Sequence, residues 1–113
     1  MPCFALHTNV SASQIPEDFC ESMTNLLCEM TGKPTQYIAV HVIPDQLMTF
    51  GGSSDPCALA TLGNIGELKD PKIAHKKIFQ MVKSRLAVPS DRMYLSFQNN
   101  APQNIGYNGR PFA

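Results

Sequence analysis

The sequence has no excess of charge. Nine lysines and arginines stand against nine aspartates and glutamates in 113 residues, and the isoelectric point is near 6.8. A nucleic-acid binder carries a basic excess on one face, so nucleic acid is not an expected partner. Long apolar runs are missing too, and membrane insertion is not expected, because a spanning helix needs about 20 consecutive apolar residues. No charged leader, long apolar stretch and small-residue cleavage site open the chain, so a signal peptide is not expected and the cytosol is the default compartment. Without a secretory route, the glycosylation pattern Asn9-Val10-Ser11 carries little weight. The four cysteines, Cys3, Cys20, Cys28 and Cys57, include no CxxC pair. A zinc knuckle and a thioredoxin-type dithiol are thereby excluded. Cys20 and Cys28 share a predicted helix at a spacing too wide for a bridge, and reduced, mostly packed thiols are expected. His7, His41 and His75 lack metal-ligand spacing, so no metal is expected. Gly51-Gly52-Ser53-Ser54 lacks the lysine of a phosphate loop and reads as a turn.

What is present is one unit used twice. Pro2 to Thr8 reads as a strand. Pro16 opens a predicted helix, with Ser13 upstream as a cap and Glu17 and Asp18 near its positive end. Phe19, Met23, Leu26, Leu27 and Met30 recur at helical spacing, and Gly32 ends the run. Tyr37 to Ile43 is a second strand, with Ile38, Val40 and Val42 on one face. The order then repeats. Cys57 to Leu62 is strand-like, Asp70-Pro71 is a cap and first helical residue, and Ala74, Ile78, Met81, Val82 and Leu86 form an apolar stripe that Pro89 stops. Met93 to Phe97 closes the series. Pro2 to Pro16 and Cys57 to Pro71 both span 14 residues, while Pro2 to Tyr37 and Ala58 to Met93 both span 35.

Two such βαβ units, at about 2–43 and 57–98, predict an α+β fold within one domain, 1–113. The expected architecture is a four-stranded mixed sheet with both helices on one face, the ferredoxin-like class. A chain of this length buries about two-thirds of its unfolded surface, enough for a core without staples. The sheet face opposite the helices is then bare. Tyr37, Ala39, His41 and Ile43 are expected there, with either Cys3, Ala5 and His7 or Phe4 and Leu6. Rows so apolar predict an oligomer. Leu47 to Phe50 and Ile105 to Tyr107 read as short edge strands placed to pair with a neighbouring chain.

Met1-Pro2 leads directly into the first strand. Initiator methionine is normally trimmed before a small residue, which would leave a proline with a free secondary amine fixed in the fold. A partly buried amine with a lowered pKa is a candidate general base. The competing reading is a proline at the start of an edge strand, where its missing N–H costs nothing.

Several segments carry a resemblance: Thr31-Gly32-Lys33-Pro34, Gln36-Tyr37-Ile38-Ala39-Val40-His41-Val42, Pro44-Asp45-Gln46-Leu47-Met48, Phe50-Gly51-Gly52-Ser53-Ser54 and Pro56-Cys57-Ala58-Leu59. Ile65-Gly66, Asp91-Arg92, Tyr94, Asn104, Gly106 and Phe112-Ala113 extend it to the end of the chain, with a short deletion near Glu67 to Asp70. The chain resembles the macrophage migration inhibitory factor family of the tautomerase superfamily. The resemblance implies a homotrimer around a central channel, with three active sites at subunit interfaces. It implies cofactor-free keto–enol tautomerisation of small aromatic α-keto acids such as phenylpyruvate, and of dopachrome-like compounds. It also implies a protein both cytoplasmic and secreted without a signal peptide, acting as a cytokine through a cell-surface receptor.

By that resemblance Pro2 is the catalytic base. One amine near neutral pKa can remove a proton beside a carbonyl and return it elsewhere, and an ordinary α-amine titrates at about 8, so modest lowering suffices. Lys33 binds the substrate carboxylate and helps keep the amine neutral; on its own it reads as a cation at a helix C-terminus. Ile65 offers a backbone N–H to the same carboxylate. Tyr94 reaches across the interface into a neighbour's pocket, although alone it reads as a half-buried strand aromatic. Ser96 stands where mammalian forms have an asparagine that donates to the substrate carbonyl; serine also donates but is shorter. Ile105, Tyr107 and Phe112 complete an apolar wall, with Tyr107 in place of a tryptophan, and Tyr37 sits near the pocket mouth. Phe97 replaces a tyrosine.

Two departures bear on other roles. Cys57-Ala58-Leu59-Ala60 lacks the second cysteine of a mammalian motif credited with thiol oxidoreductase activity, so dithiol chemistry there is excluded. Ala12 stands where mammalian forms carry a basic residue that pairs with Asp45 in a chemokine-like motif, which weakens binding to that receptor class. Together they fit a non-mammalian homologue. The two functional readings are an enzyme using Pro2 and a receptor-binding signalling trimer whose pocket is vestigial.

Overall fold

The computed structural model describes residues 1–113. Strand β1 (Pro2–Thr8) leads through a 3-10 turn to helix α1 (Phe19–Thr31) and strand β2 (Ala39–Ile43). Strand β3 (Ala58–Ile65), helix α2 (Pro71–Leu86) and strand β4 (Met93–Asn100) repeat the order, and a two-stranded hairpin, β5 (Gly106–Tyr107) and β6 (Arg110–Pro111), follows. The main sheet has the order β2-β1-β3-β4. β1 runs parallel to β2 and antiparallel to β3, and β3 runs parallel to β4. This is the mixed four-stranded sheet that two right-handed βαβ units predict.

The core lies between the sheet and the helices. Phe4 and Leu6 of β1, Ala60 and Leu62 of β3, Phe19, Met23 and Leu27 of α1, and Ile78, Val82 and Leu86 of α2 are all buried. Both helical sets recur every four residues, which keeps them on one face. The alternation within β1 settles the face left open by the sequence. Phe4 and Leu6 point to the helices, while Cys3, Ala5 and His7 face out beside Ala39, His41 and Ile43. Two ion pairs tie the helices together on their solvent side, Lys77 with Glu29 at 3.4 Å and Arg85 with Asp18.

Several boundaries differ from the expected ones. α1 begins at Phe19 rather than Pro16, because Pro16 opens a turn in which its carbonyl accepts from the Phe19 N–H at 3.0 Å. Ser13 caps nothing; its hydroxyl meets that of Ser11. Asp18 at the N-cap position gives its carboxylate to Arg85 instead of to the helix end. α2 starts as expected, with Asp70 accepting from the Ile73 N–H at 3.2 Å and Pro71 in the first turn. It ends before Pro89, at Ala87, which takes the left-handed conformation at φ 56°.

β2 starts at Ala39 because the ladder with β1 begins at the Cys3–Ala39 pair. Tyr37 closes a 3-10 turn, Thr35–Tyr37, and so leaves the sheet face where it was expected. Leu47 to Phe50 forms no strand. Asp45 and Gln46 donate to the carbonyls of Val10 and Thr8, Leu47 is fully exposed, and only a Phe50–Ser53 bridge closes the Gly51-Gly52 turn. Ile105 to Tyr107 contributes Gly106–Tyr107, which pairs with Arg110–Pro111 of the same chain and not with the main sheet. β3 and β4 each run three residues beyond their expected ends, to Ile65 and Asn100. No helix is long and apolar enough to cross a membrane.

Candidate functional site

At one end of the sheet, the start of β1, the exit of α1, the end of β3 and the C-terminal segment surround a cavity of about 390 Å³. Met1, Lys33, Pro34, Tyr37, Ile65, Pro102 and Phe112 line it.

Each wall has a local cause. Pro2 opens β1, which is an interior strand and not the edge strand considered above. The proline is tolerated there as a first residue, since the β2 ladder begins only at Cys3. Its ring is buried, and its nitrogen is joined to Met1, whose own residue reaches the cavity. Gly32 ends α1 at φ 69°, a conformation that favours glycine, and its N–H donates to the Cys28 carbonyl at 2.9 Å. That turn carries the chain off the helix and places Lys33 at the cavity, its N–H donating to Thr31 Oγ1 at 3.2 Å. Ile65 is the last residue of β3, and Gly66 turns away at φ 90°.

The outer wall is aromatic. Tyr37 meets Tyr107 edge-on at 5.1 Å and Phe112 at 5.9 Å, while Tyr107 and Phe112 stack at 5.8 Å. Such pairs contribute roughly 0.5–1.5 kcal/mol each beyond area burial. The Phe112 N–H donates to the Ile105 carbonyl at 3.1 Å, which folds the hairpin back onto Tyr37. Ile105 therefore anchors this wall through its backbone and does not line the cavity, and Tyr107 buttresses it from behind.

The electrostatics favour a neutral amine. The α-amine of Met1 has its pKa lowered from 8.0, first by burial and then by the positive charge of Lys33, with the Cys3 thiol opposing. Desolvation disfavours the charged form of the Met1 amine, and a neighbouring cation repels it.

Tyr94 and Ser96 are not brought to this cavity. Pro2 pairs with Asn64 and Asn64 with Asn99, whereas Tyr94 pairs with Leu59 and Leu59 with His7. Tyr94 thus lies five strand positions from the Pro2 end, roughly 16 Å away. It is 68% exposed and packs on Phe50 at 5.0 Å. Ser96 is exposed at mid-strand, opposite Thr61 and, beyond it, Ala5. Pro34 and Pro102 line the cavity without having been singled out. Pro34 lay within a recognised motif, but nothing in local sequence marked Pro102, which is brought in by the C-terminal fold-back. A larger hollow of about 710 Å³ runs between the helices, lined by Leu26, Lys77, Gln80, Met81, Lys83, Ser84 and Arg85. Its lining holds three cations and no carboxylate, and Lys77 and Arg85 are already paired with Glu29 and Asp18, so the smaller cavity is the candidate site. No three His, Cys, Asp or Glu side chains converge as metal ligands.

The sequence matches the family model described as Macrophage migration inhibitory factor (MIF) over residues 1–113. It is 45% identical to the macrophage migration inhibitory factor of Meriones unguiculatus, with all of both chains covered. It is 38% identical to the homolog of Trichinella spiralis, over 99% of this chain and 100% of that one. The solved structure of the Trichinella spiralis protein superposes with a TM-score of 0.94, covering 97% of this chain and 99% of that chain. A homologue from Prochlorococcus marinus, 22% identical, shares the fold at a TM-score of 0.90 over 98% and 99% of the two chains. With its sheet order, its cavity at the chain start and full-length identity to these relatives, the chain belongs to the macrophage migration inhibitory factor family.

Proposed function

We propose that the chain, once Met1 is removed, is a cofactor-free keto–enol tautomerase of phenylpyruvate-like and dopachrome-like substrates. The observation that carries this reading is an N-terminal amine at a cavity, held below its ordinary pKa by burial and Lys33. Removal of Met1 would free the Pro2 nitrogen beside the same cavity, one residue from the Met1 amine and near the same Lys33. The neutral Pro2 nitrogen takes a proton from the carbon beside the substrate carbonyl. The C–H electron pair forms the C=C bond, and the carbonyl oxygen takes up the proton that the protonated Pro2 amine gives back, so the enol forms and the base is restored. The net formula is unchanged, so no co-reactant is required. Lys33 pairs with the substrate carboxylate, the Ile65 N–H supports it, and Tyr37 and Phe112 cover the ring.

The site is completed in a homotrimer. The outward face sets Cys3, Ala5, Ala39, Ile43 and Leu59 beside His7, His41, Thr61 and Ser96, and its apolar part favours cover by a neighbour. Packing that face against a neighbour would carry Tyr94 and Ser96, remote from the cavity of their own chain, into the neighbour's. The segment Leu47 to Thr49, outside any strand of the chain, is available for a neighbour's edge.

Secretion without a signal peptide and a cytokine role through a cell-surface receptor form the second reading, favoured by the names of the relatives. Position 12 weighs against one receptor class: Ala12 offers Asp45 only a backbone N–H, at 3.3 Å, where a cation would complete a charged pair.

The test is phenylpyruvate tautomerisation by protein whose Met1 is shown by mass spectrometry to be gone, beside protein retaining an extra N-terminal residue. Activity in the first alone is expected, and Pro2→Gly should reduce it at least 100-fold, the low end of general acid–base contributions. A Pro2→Gly variant as active as wild type would remove Pro2 from the mechanism.

A further inference from the structure

Asn64 is nearly enclosed, with 5% of its surface exposed, and its Oδ1 is buried with no hydrogen-bond partner. A buried unpaired amide oxygen is costly, and its retention asks for a reason. The other end of the same amide supplies one. Asn64 Nδ2 donates to the Gly66 carbonyl at 3.4 Å, while Asn99 Oδ1 accepts from the Gly66 N–H at 3.0 Å. Both backbone groups of Gly66 are therefore held by side-chain amides from adjacent strands. The two amides are in register, since Asn64 and Asn99 are paired residues of β3 and β4.

Gly66 sits at φ 90°, where the chain leaves β3 just after Ile65. Ile65 lines the cavity, and the peptide joining it to Gly66 is the one whose N–H Asn99 holds. A turn with its glycine unrestrained would let this peptide rotate and move the Ile65 backbone relative to Lys33. We infer that Asn99, assisted by Asn64, is a positioning residue that fixes the Ile65–Gly66 turn and so sets the affinity of the cavity for aromatic α-keto carboxylates. The inference rests on the tautomerase reading of the cavity. Asn99 does not line the 390 Å³ cavity and reaches it through the backbone, while Asn64 borders an adjoining hollow of about 400 Å³ that Lys33 and Ile65 share.

Asn99 is exposed, and its replacement leaves the core untouched. In Asn99→Ala, KM for phenylpyruvate should rise about tenfold, with kcat changed less than twofold. The dissociation constant for phenylglyoxylate, an aromatic α-keto acid that cannot enolise, should rise equally. Exchange of the Gly66 amide hydrogen should accelerate in Asn99→Ala and return to the wild-type rate in Asn99→Asp, which restores the accepting oxygen. A merely structural role would lower Tm without this selective change in KM. Unchanged phenylglyoxylate affinity in Asn99→Ala, or equal loss in kcat, would overturn the inference. Wild-type protein that binds phenylglyoxylate but does not turn over phenylpyruvate would overturn the tautomerase reading instead, and the effect of Asn99→Ala on that binding would still decide the positioning role.

Discussion

Arg92 offers the sharpest test of how the loop between β2 and β3 is held. Its guanidinium donates to four backbone carbonyls, Phe50 at 2.9 Å, Ser53 at 3.0 Å, Asp55 at 2.9 Å and Pro56 at 3.0 Å. It also lies over the Phe50 ring at 5.8 Å. Replacement by leucine keeps the apolar stem and deletes all four bonds. The bonds to Phe50 and Ser53 are partly buried and contribute about 1.5 kcal/mol each, the low end for charged hydrogen bonds. The bonds to Asp55 and Pro56 are exposed, where water replaces the donor, and about 0.5 kcal/mol each is a fair figure. From that total of about 4 kcal/mol, roughly 1–2 kcal/mol is subtracted for the side-chain freedom regained. The expected loss is therefore about 2–3 kcal/mol, or roughly 8–15 °C in Tm for a chain of this size. Arg92→Lys should recover only a minor part, because one ammonium cannot reach four carbonyls through a planar fork. Urea unfolding at constant slope reads the difference directly. A loss below 0.5 kcal/mol, within the ordinary range of a surface substitution, would refute the claim that these bonds fix the loop. Phe50 packs on Tyr94, so the same variant should also loosen the residue proposed to enter a neighbour's pocket.

Two further predictions concern the cavity. Lys33→Met removes one cause of the lowered amine pKa and the proposed carboxylate partner. The base works when neutral, so activity is lost as pH falls through its pKa; without the Lys33 charge that pKa should move up, shifting the acid limb of kcat/KM to higher pH, together with a rise in KM. An acid limb that stays in place would separate Lys33 from the amine. Phe112→Ala deletes both its contact with Tyr37 and its stack on Tyr107. It should raise KM for phenylpyruvate about tenfold and, through the two lost aromatic pairs, lower Tm by several degrees; unchanged KM would remove the aromatic wall from substrate binding.

Much of the fold was legible because its signals are local and redundant. Apolar residues every four positions in α1 and α2, alternation in β1 and the Asp70-Pro71 start each record one element. The misplaced boundaries are those where distant groups compete. Arg85 draws the Asp18 carboxylate from the α1 end, and the ladder with β1 decides that Tyr37 turns away before β2 begins. Leu47 to Phe50 has strand-like residues but pairs within the chain only at the Phe50–Ser53 bridge, and a strand exists only when its backbone groups are paired.

The sequence by itself determined the two βαβ units, the turn at Gly32 that presents Lys33, and the family, since these rest on side-chain type and order along the chain. Only tertiary structure decided which face of β1 is buried, that β1 is interior, and that Pro102 and Phe112 close over the entrance near Met1. It alone set Tyr94 and Ser96 far from the cavity of their own chain and caught Gly66 between Asn64 and Asn99. Such facts depend on strand register and on bringing residues up to 111 positions apart, Met1 and Phe112, to one cavity, and no local pattern of side chains encodes them.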